Sequence, residues 1–234
     1  MLIQHLEPTT LLDFPGRVSS VVFTYGCNLR CPYCHNPELV TEELNEELLI
    51  TEQEVFDHLD KRINVLDGLV ITGGEPTVHK DLLEFIKKIK HKFPKLLIKL
   101  DTNGTFPDRL EKIIESGLID YYAMDIKYDD EIYKQGLNGG MQFKNITESI
   151  LMIKNSCKEY EFRTTVMKGL HNEEVIKKIG ELIKGSKIYY IQNFRAGKTI
   201  DKTLDNSCSY TSNELEIFKD IMLKYVDEVV IRNY

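Results

Sequence analysis

Hydrophobic and polar positions along this chain follow two alternating periods. Runs rich in β-branched and apolar residues predict buried strands. The predicted strands cover 18–25, 68–72, 96–101, 120–126, 160–166 and 187–193, with a weaker candidate at 228–232. Between these runs, apolar residues recur with the helical period that indicates one buried face. The predicted helices cover 52–64, 80–92, 108–116, 145–155, 173–184 and 213–226.

Strands that alternate with helices predict parallel strands joined by crossover helices. Six such units are too few to close an eight-stranded barrel. We therefore expect an α/β fold, a partial and open (β/α)6 barrel of the TIM type with its helices outside. Capping-box patterns at Thr51 with Glu54 and at Thr211 with Glu214 support the first and last helices. Without repeats or linkers, residues 1–234 are expected to form a single domain.

Composition and charge narrow the classes of partner. Hydrophobic residues make up 42% of the chain, which is enough for a sizeable core, and the formal net charge is −7. This acidic balance argues against a polynucleotide partner and against an anionic membrane surface. Apolar runs long enough to span a bilayer are absent, and residues 1–7 lack a signal-peptide pattern. We expect a cytoplasmic protein with reduced thiols.

Three of the five cysteines, Cys27, Cys31 and Cys34, follow the first predicted strand with the spacing C-x3-C-x2-C. A four-iron cluster normally takes four thiolates, so three thiolates from one loop leave one iron open to another ligand. Zinc is the alternative, because the adjacent His35 could complete a set of four ligands.

Further polar motifs follow the next three predicted strands. Because the carboxyl ends of parallel strands meet at one edge, we expect these motifs to share one ligand site. They are Thr72-Gly73-Gly74-Glu75-Pro76, Asp101-Thr102-Asn103-Gly104 and Asp125-Ile126-Lys127. The remaining cysteines, Cys157 and Cys208, stand alone and are interpreted as packing thiols, although either could be redox-active.

The cysteine spacing resembles that of the radical S-adenosylmethionine (radical SAM) superfamily. The resemblance implies a radical SAM fold and a [4Fe-4S] cluster held by Cys27, Cys31 and Cys34. In that superfamily the open iron binds S-adenosylmethionine, and one-electron cleavage gives a 5′-deoxyadenosyl radical that abstracts a substrate hydrogen. Gly73-Gly74-Glu75-Pro76 is similar to the second superfamily motif, in which the glycine backbone receives the methionyl ammonium group. Alone, such a turn is an ordinary connection between a strand and a helix.

Two motifs resemble those of glycyl-radical activating enzymes, a subgroup of the superfamily. The resemblance implies that Lys127 pairs with the methionyl carboxylate. It also implies that Asp101, Thr102 and Asp125 gather a monovalent cation, Na⁺ or K⁺, which would balance charge beside that carboxylate. Asn103 belongs to the same cofactor-binding motif. The alternatives are a simple turn at residues 103–104 and a surface ion pair at residues 125–127.

Around the last cluster cysteine, the subgroup resemblance implies further cofactor contacts from His35 and Asn36, the asparagine reaching the nucleoside. Tyr33 can stack against adenine. The alternative is that these residues only shape a tight loop between Pro32 and Pro37.

Two later strand ends supply candidate substrate-binding residues. An inward Arg163 would need a carboxylate partner or a ligand, because an unpaired buried arginine is costly. Gln192, Asn193 and Arg195 end the next strand. The isolated histidines receive no role; they are His5, His58, His79, His91 and His171.

Nearly the whole chain resembles the group labelled anaerobic ribonucleotide-reductase activating proteins. That group includes relatives of queuine lyase, which acts on a modified deazapurine base. The polar strand ends favour a small ligand, so the leading interpretation is queuine-lyase-like C–N cleavage that releases 7-aminomethyl-7-deazaguanine in queuosine salvage. The alternative is an activating enzyme that installs a glycyl radical on an anaerobic ribonucleotide reductase or a related enzyme. Both would need an electron donor such as flavodoxin or ferredoxin. A third class, an electron carrier, would form no 5′-deoxyadenosine.

Overall fold

The computed structural model describes residues 1–40, 43–129 and 143–232. Its strands are β1 (Ile3–Thr10), β2 (Ser19–Thr24), β3 (Gly68–Gly73), β4 (Leu97–Thr102), β5 (Tyr121–Asp125), β6 (Glu159–Val166), β7 (Ile188–Asn193) and β8 (Glu228–Arg232). Its α-helices are α1 (Glu52–Arg62), α2 (Leu82–Lys92), α3 (Pro107–Ser116), α4 (Phe143–Asn155), α5 (Glu173–Leu182) and α6 (Ser212–Met222).

The eight strands form one sheet in the order β1-β2-β3-β4-β5-β6-β7-β8. Strands β2 to β8 run parallel, and a helix separates each from the next, as a partial barrel of six βα units requires. The predicted fold class is therefore confirmed, and the weak candidate at 228–232 is a strand.

Strand β1 was not predicted from the sequence. It pairs antiparallel with β2 at the edge of the sheet, and Ile3 alone among its residues is fully buried. An edge strand with so little buried apolar surface carries almost no hydrophobic periodicity, so pattern reasoning misses it.

Both predicted capping boxes are present. The Thr51 hydroxyl accepts from the Glu54 backbone N–H, and Thr211 does the same with Glu214. The last helix is shorter than predicted because it ends at Met222, after which the chain turns into β8. Within the described ranges, no helix is both long enough and apolar enough to cross a bilayer.

The two faces of the sheet are filled differently. The outer face packs against the helices in the large core, where Leu69 and Ile98 lie with Phe85 and Ile86. On the inner face, a smaller cluster centres on Phe14, from the β1–β2 loop, and includes Val21, Val70, Tyr121 and Ala123. Side chains two residues apart on a strand share a face, so Ala123 lies on the same face as Asp125. Phe14 thus fills the inner face on the amino side of the polar strand ends.

Candidate active site

The three motif cysteines lie in the loop after β2 and line one cavity of about 210 Å³. Cys31 is buried, while Cys27 and Cys34 are half-buried. Among the described residues, no three Cys, His, Asp or Glu side chains are arranged to hold a metal ion together. A single zinc needs its ligands around one point, whereas a cubane spreads its thiolates over separate irons. Three thiolates that do not share one point can therefore each bind a different iron of a cubane.

Burial makes the Cys27 and Cys31 thiols hard to ionise on their own. It raises the pKa of Cys27 to about 12, and the nearby Glu75 carboxylate adds to the increase. Burial also raises the pKa of Cys31, against the opposing effects of Lys127 and Tyr128. A bound metal centre deprotonates a coordinating thiol, so this environment suits a ligand that brings its own positive charge.

The glycine pair of the second motif is pressed against the start of the cysteine loop. Gly73 has φ +121°, and a Cβ there would lie 2.3 Å from the Thr24 nitrogen. A Cβ on Gly74 would lie 2.1 Å from the Gly26 carbonyl oxygen. The Gly74 N–H donates to the Thr24 carbonyl at 2.9 Å. Glycine is therefore needed for strand-to-loop packing, a reason that the sequence argument, built on ligand approach, did not contain.

Glu75 is an internal anchor and is only 1% exposed. Its carboxylate accepts from the Thr77 hydroxyl at 2.5 Å, the Thr102 hydroxyl at 2.7 Å and the Asn103 backbone N–H at 2.6 Å. Burial raises the pKa of Glu75, although each of these donors opposes the shift. The polar part of Thr102 is thus directed to Glu75, and two predicted motifs are joined by one carboxylate.

A chain of charges crosses the inner face of the sheet. Arg163 Nε lies 2.5 Å from Asp125 Oδ1, and its Nη2 lies 2.9 Å from Asp101 Oδ2. Lys127 Nζ lies 2.8 Å from Asp125 Oδ2, and Lys99 Nζ lies 2.9 Å from Asp101 Oδ1. Arg163 therefore points inward and has three carboxylate partners, because its Nη1 also lies 3.7 Å from Glu161 Oε1. Both aspartates, Lys127 and Arg163 line the cavity of the cysteines.

These contacts shift the acidities strongly. Burial alone would raise the pKa of Asp125, but Arg163 and Lys127 hold it well below its usual range. Arg163 and Lys99 likewise outweigh burial and lower the pKa of Asp101. Side-chain cations thus already balance both carboxylates, so the charge argument for Na⁺ or K⁺ has no support from these contacts and the cation stays a prediction.

Tyr33, His35 and Asn36 also line the cavity. The His35 Nε2 donates to the Arg195 carbonyl at 2.8 Å, and its ring stacks on Phe194 with centroids 5.7 Å apart. The residues predicted to contact the cofactor thus lie at the cavity. His35 also contacts the segment after β7, as the alternative of loop shaping requires.

The later strand-end residues lie outside that cavity's lining. The Asn193 side chain donates to the Tyr210 carbonyl at 2.8 Å and accepts from the Tyr210 N–H at 3.0 Å. Gln192 accepts from the Thr165 hydroxyl at 3.3 Å, and the Arg195 side chain is exposed. The segment after β7 instead contacts the cysteine loop, where the Asp201 N–H donates to the Pro32 carbonyl at 2.9 Å.

Sequence reasoning missed several charged residues of the inner face. Lys99 is 2% exposed, and the fully buried Glu161 pairs with Arg232 at 3.0 Å and 3.1 Å. Lys99 and Glu161 precede Asp101 and Arg163 by two positions, which places each pair on one face of its strand. The alternation of side chains along each strand was therefore the sequence signal that could have revealed Lys99 and Glu161.

A putative glycyl-radical enzyme activating enzyme of Methanocaldococcus jannaschii is 36% identical over 237 residues, covering 99% of this chain and 95% of the relative. A pyruvate formate-lyase-activating enzyme of Clostridium pasteurianum is 30% identical over 197 residues, covering 78% of this chain and 76% of the relative.

Among solved structures, QueE from Escherichia coli superimposes with a TM-score of 0.59 at 13% identity, covering 100% of this chain and 94% of that one. This similarity concerns the fold alone. The sequence pattern that describes the Radical SAM superfamily matches residues 21–182, which include the cysteine loop and the inner-face charges. The cofactors implied by that match are a [4Fe-4S] cluster and S-adenosylmethionine, and the three thiols beside paired charges in one cavity fit them. The chain therefore belongs to the radical SAM superfamily.

Proposed function

We propose that this radical SAM enzyme is an activating enzyme that generates a glycyl radical on a partner protein. The observation that carries the proposal is the similarity to the M. jannaschii protein, which extends over nearly the full length of both chains. The Clostridium relative, which is named for activation of pyruvate formate-lyase, supports the same activity class.

Cys27, Cys31 and Cys34 would hold the cluster. When bound, the cluster and S-adenosylmethionine supply a reductive C–S cleavage whose carbon radical abstracts a hydrogen atom. The residues that line the cavity would bind and orient the cofactor. Lys127 and Arg163 would present positive charge to a methionyl carboxylate, while Asp125, which pairs with both, holds the two cations in position.

The nucleoside side of the cavity would involve Tyr33 and Asn36, and the glycine backbone at residues 73–74 would face the methionyl ammonium group. This chemistry would require one external electron from a flavodoxin or ferredoxin type of donor. The products would be methionine, 5′-deoxyadenosine that carries the glycine Cα hydrogen, and a radical on the partner's glycine.

The queuine-lyase interpretation rested on polar residues at the ends of late strands. Of these residues, Arg163 lines the cysteine cavity, where it pairs with Asp101 and Asp125, whereas Gln192, Asn193 and Arg195 do not line it. The basis for preferring a small polar ligand is therefore reduced to Arg163, and the two relatives described above favour the activating enzyme.

The test uses anaerobically reconstituted protein with dithionite and S-adenosylmethionine. Pyruvate formate-lyase, anaerobic ribonucleotide reductase and queuine are supplied in separate reactions. We expect a glycyl-radical signal by electron paramagnetic resonance on one of the two proteins, with matching 5′-deoxyadenosine. Cys31→Ala should abolish both products, while the exposed Cys157→Ala should leave them unchanged.

Release of 7-aminomethyl-7-deazaguanine from queuine, without a radical on either protein, would replace this proposal with the lyase. The absence of 5′-deoxyadenosine from every reaction would instead indicate an electron carrier.

A further inference from the structure

The side chain of Asn103 reaches the first cysteine of the loop after β2. Asn103 follows β4 and is 4% exposed, and its backbone N–H donates to Glu75 at 2.6 Å. The amide nitrogen of its side chain lies 3.9 Å from Cys27 Sγ, within hydrogen-bonding reach of a large sulfur atom. The sequence places Asn103 in a cofactor-binding motif without naming the atom that it contacts. The geometry supplies that atom, and it is a cysteine sulfur.

Hydrogen bonds on the other side of the Asn103 amide fix which of its atoms faces the sulfur. Asn103 Oδ1 accepts from the Thr105 backbone N–H at 3.0 Å and from the Thr105 hydroxyl at 2.6 Å. Because a backbone N–H can only donate, the amide oxygen faces Thr105 and the NH₂ group faces the cysteine loop. One amide hydrogen goes to Asn28 Oδ1, at 3.2 Å, which leaves the other for Cys27. The network therefore holds a donor, not an acceptor, at the sulfur.

Cys27 Sγ also receives the Leu29 backbone N–H, at 3.3 Å. Hydrogen bonds to the sulfurs are among the factors that set the reduction potential of an iron–sulfur cluster. Each such bond stabilises negative charge on the sulfur, so it favours the reduced cluster, which is the more negative form. The effect is strong where water is excluded, because the local dielectric constant is low. Asn103 and Thr105, each 4% exposed, place the amide in such a site.

We propose that Asn103 is a positioning residue that raises the reduction potential of the cluster by donating a hydrogen bond from its side-chain amide to the Cys27 thiolate. Asn28 and Thr105 orient the amide, and Glu75 holds the backbone of the same residue. The cluster is thereby easier to reduce, as the one-electron cleavage of S-adenosylmethionine requires. The proposal needs the cluster of the superfamily but is independent of the substrate that the enzyme uses.

The experiment is a redox titration of the reconstituted protein without substrate, followed by electron paramagnetic resonance. In Asn103→Leu the potential should become more negative, with about a tenfold lower ratio of reduced to oxidised cluster at a fixed potential, or about 59 mV for one electron. The matched control is Asn145→Leu in α4, because the Asn145 amide donates to the Thr105 carbonyl of the same turn, at 3.0 Å. The control should keep the wild-type potential. A merely structural role of Asn103 would lower the iron and sulfide content without shifting the potential of the loaded fraction.

A second pair of variants keeps the test decisive if Asn103→Leu fails to load the cluster. Asn103→Asp and Asn28→Asp each add one negative charge and keep an oxygen for the donors they face, but only Asn103→Asp removes the donor to the sulfur. A more negative potential in Asn103→Leu than in Asn145→Leu, or in Asn103→Asp than in Asn28→Asp where Asn103→Leu does not load, supports the proposal. Equal potentials within the loaded pair would overturn it.

Discussion

The backbone N–H of Asn103 donates a hydrogen bond to the buried carboxylate of Glu75, with the nitrogen 2.6 Å from the oxygen. This bond joins the turn after β3 to the turn after β4. Since Thr77 and Thr102 donate to the other oxygen of the same carboxylate, Glu75 fixes two neighbouring walls of the cavity relative to each other.

Replacement of Glu75 with glutamine should destabilise the protein. One carboxylate oxygen becomes an NH₂ group, which cannot accept, so either Asn103 or the threonines lose their acceptor. An unsatisfied buried donor costs about 1–3 kcal/mol. The free energy of unfolding from urea titration measures the loss, and Glu84→Gln on the exposed face of α2 is the control. Equal stability of the two variants would contradict the anchoring role.

Addition of a single methyl group at Gly74 should disturb the cysteine loop. The Cβ of Gly74→Ala would meet the Gly26 carbonyl, a backbone atom that cannot rotate away. We expect a loss of about 1–3 kcal/mol in stability, as in other overpacked sites, together with lower iron content after reconstitution.

The control is Gly197→Ala, where a Cβ meets nothing within 4 Å. Full iron loading of Gly74→Ala, determined by metal analysis, would show that the strand-to-loop contact is not required for the cluster site.

Removal of the Arg163 guanidinium should leave three carboxylates with one cation each: Asp101 with Lys99, Asp125 with Lys127 and Glu161 with Arg232. Breaking a buried ion pair by deleting one partner typically costs about 3–5 kcal/mol. Arg163→Met should therefore lower the free energy of unfolding by an amount in that range, whereas the exposed Arg17→Met should have little effect. Urea denaturation at neutral pH measures the free energy of unfolding of both variants. If Arg163→Met loses no more stability than Arg17→Met, the chain of charges does not stabilise the protein.

His171 should make the protein sensitive to mild acid. Burial lowers the pKa of His171, with Lys127 acting in the same direction and Asp129 and the two backbone hydrogen bonds opposing. A histidine whose folded pKa is depressed contributes full stability above its unfolded pKa of about 6.5. The contribution is lost as the pH falls through that value, because the unfolded state then binds the proton more readily.

Unfolding free energies at about pH 7.5 and pH 5.5 test this sign, because one histidine can change them by at most about 1.4 kcal/mol per pH unit. His171→Gln should lose less stability over this interval than the wild type does. The other histidines are common to both proteins and cancel in the comparison. An equal or steeper decline in the variant would show that His171 is not held neutral.

Much of the site followed from local sequence order. Cys27, Gly73, Asp101 and Asp125 each stand where a parallel strand ends, and the geometry of such sheets brings those ends together without any knowledge of packing. The periodicities of the strands and helices were also strong signals, because each reflects a buried face of its element.

What the sequence could not supply were relationships between distant segments. Asn193 has the chemistry of a ligand contact, yet its amide satisfies the backbone of Tyr210, seventeen positions later in the chain. Likewise, the stacking of the His171 ring on the Tyr128 ring, with centroids 5.9 Å apart, depends on how two loops pack. Neither pairing leaves a spacing that pattern reasoning can detect.

The Phe14 cluster also bears on the charged side chains of the inner face. Phe14 is 3% exposed, and the carbonyl of its neighbour Asp13 accepts from Lys99 Nζ at 2.7 Å. Lys99 in turn pairs with Asp101 at the cavity. One short segment before β2 thus supplies apolar packing and supports a cation of the candidate site, so a substitution far from the cysteines would reach the cavity through Lys99.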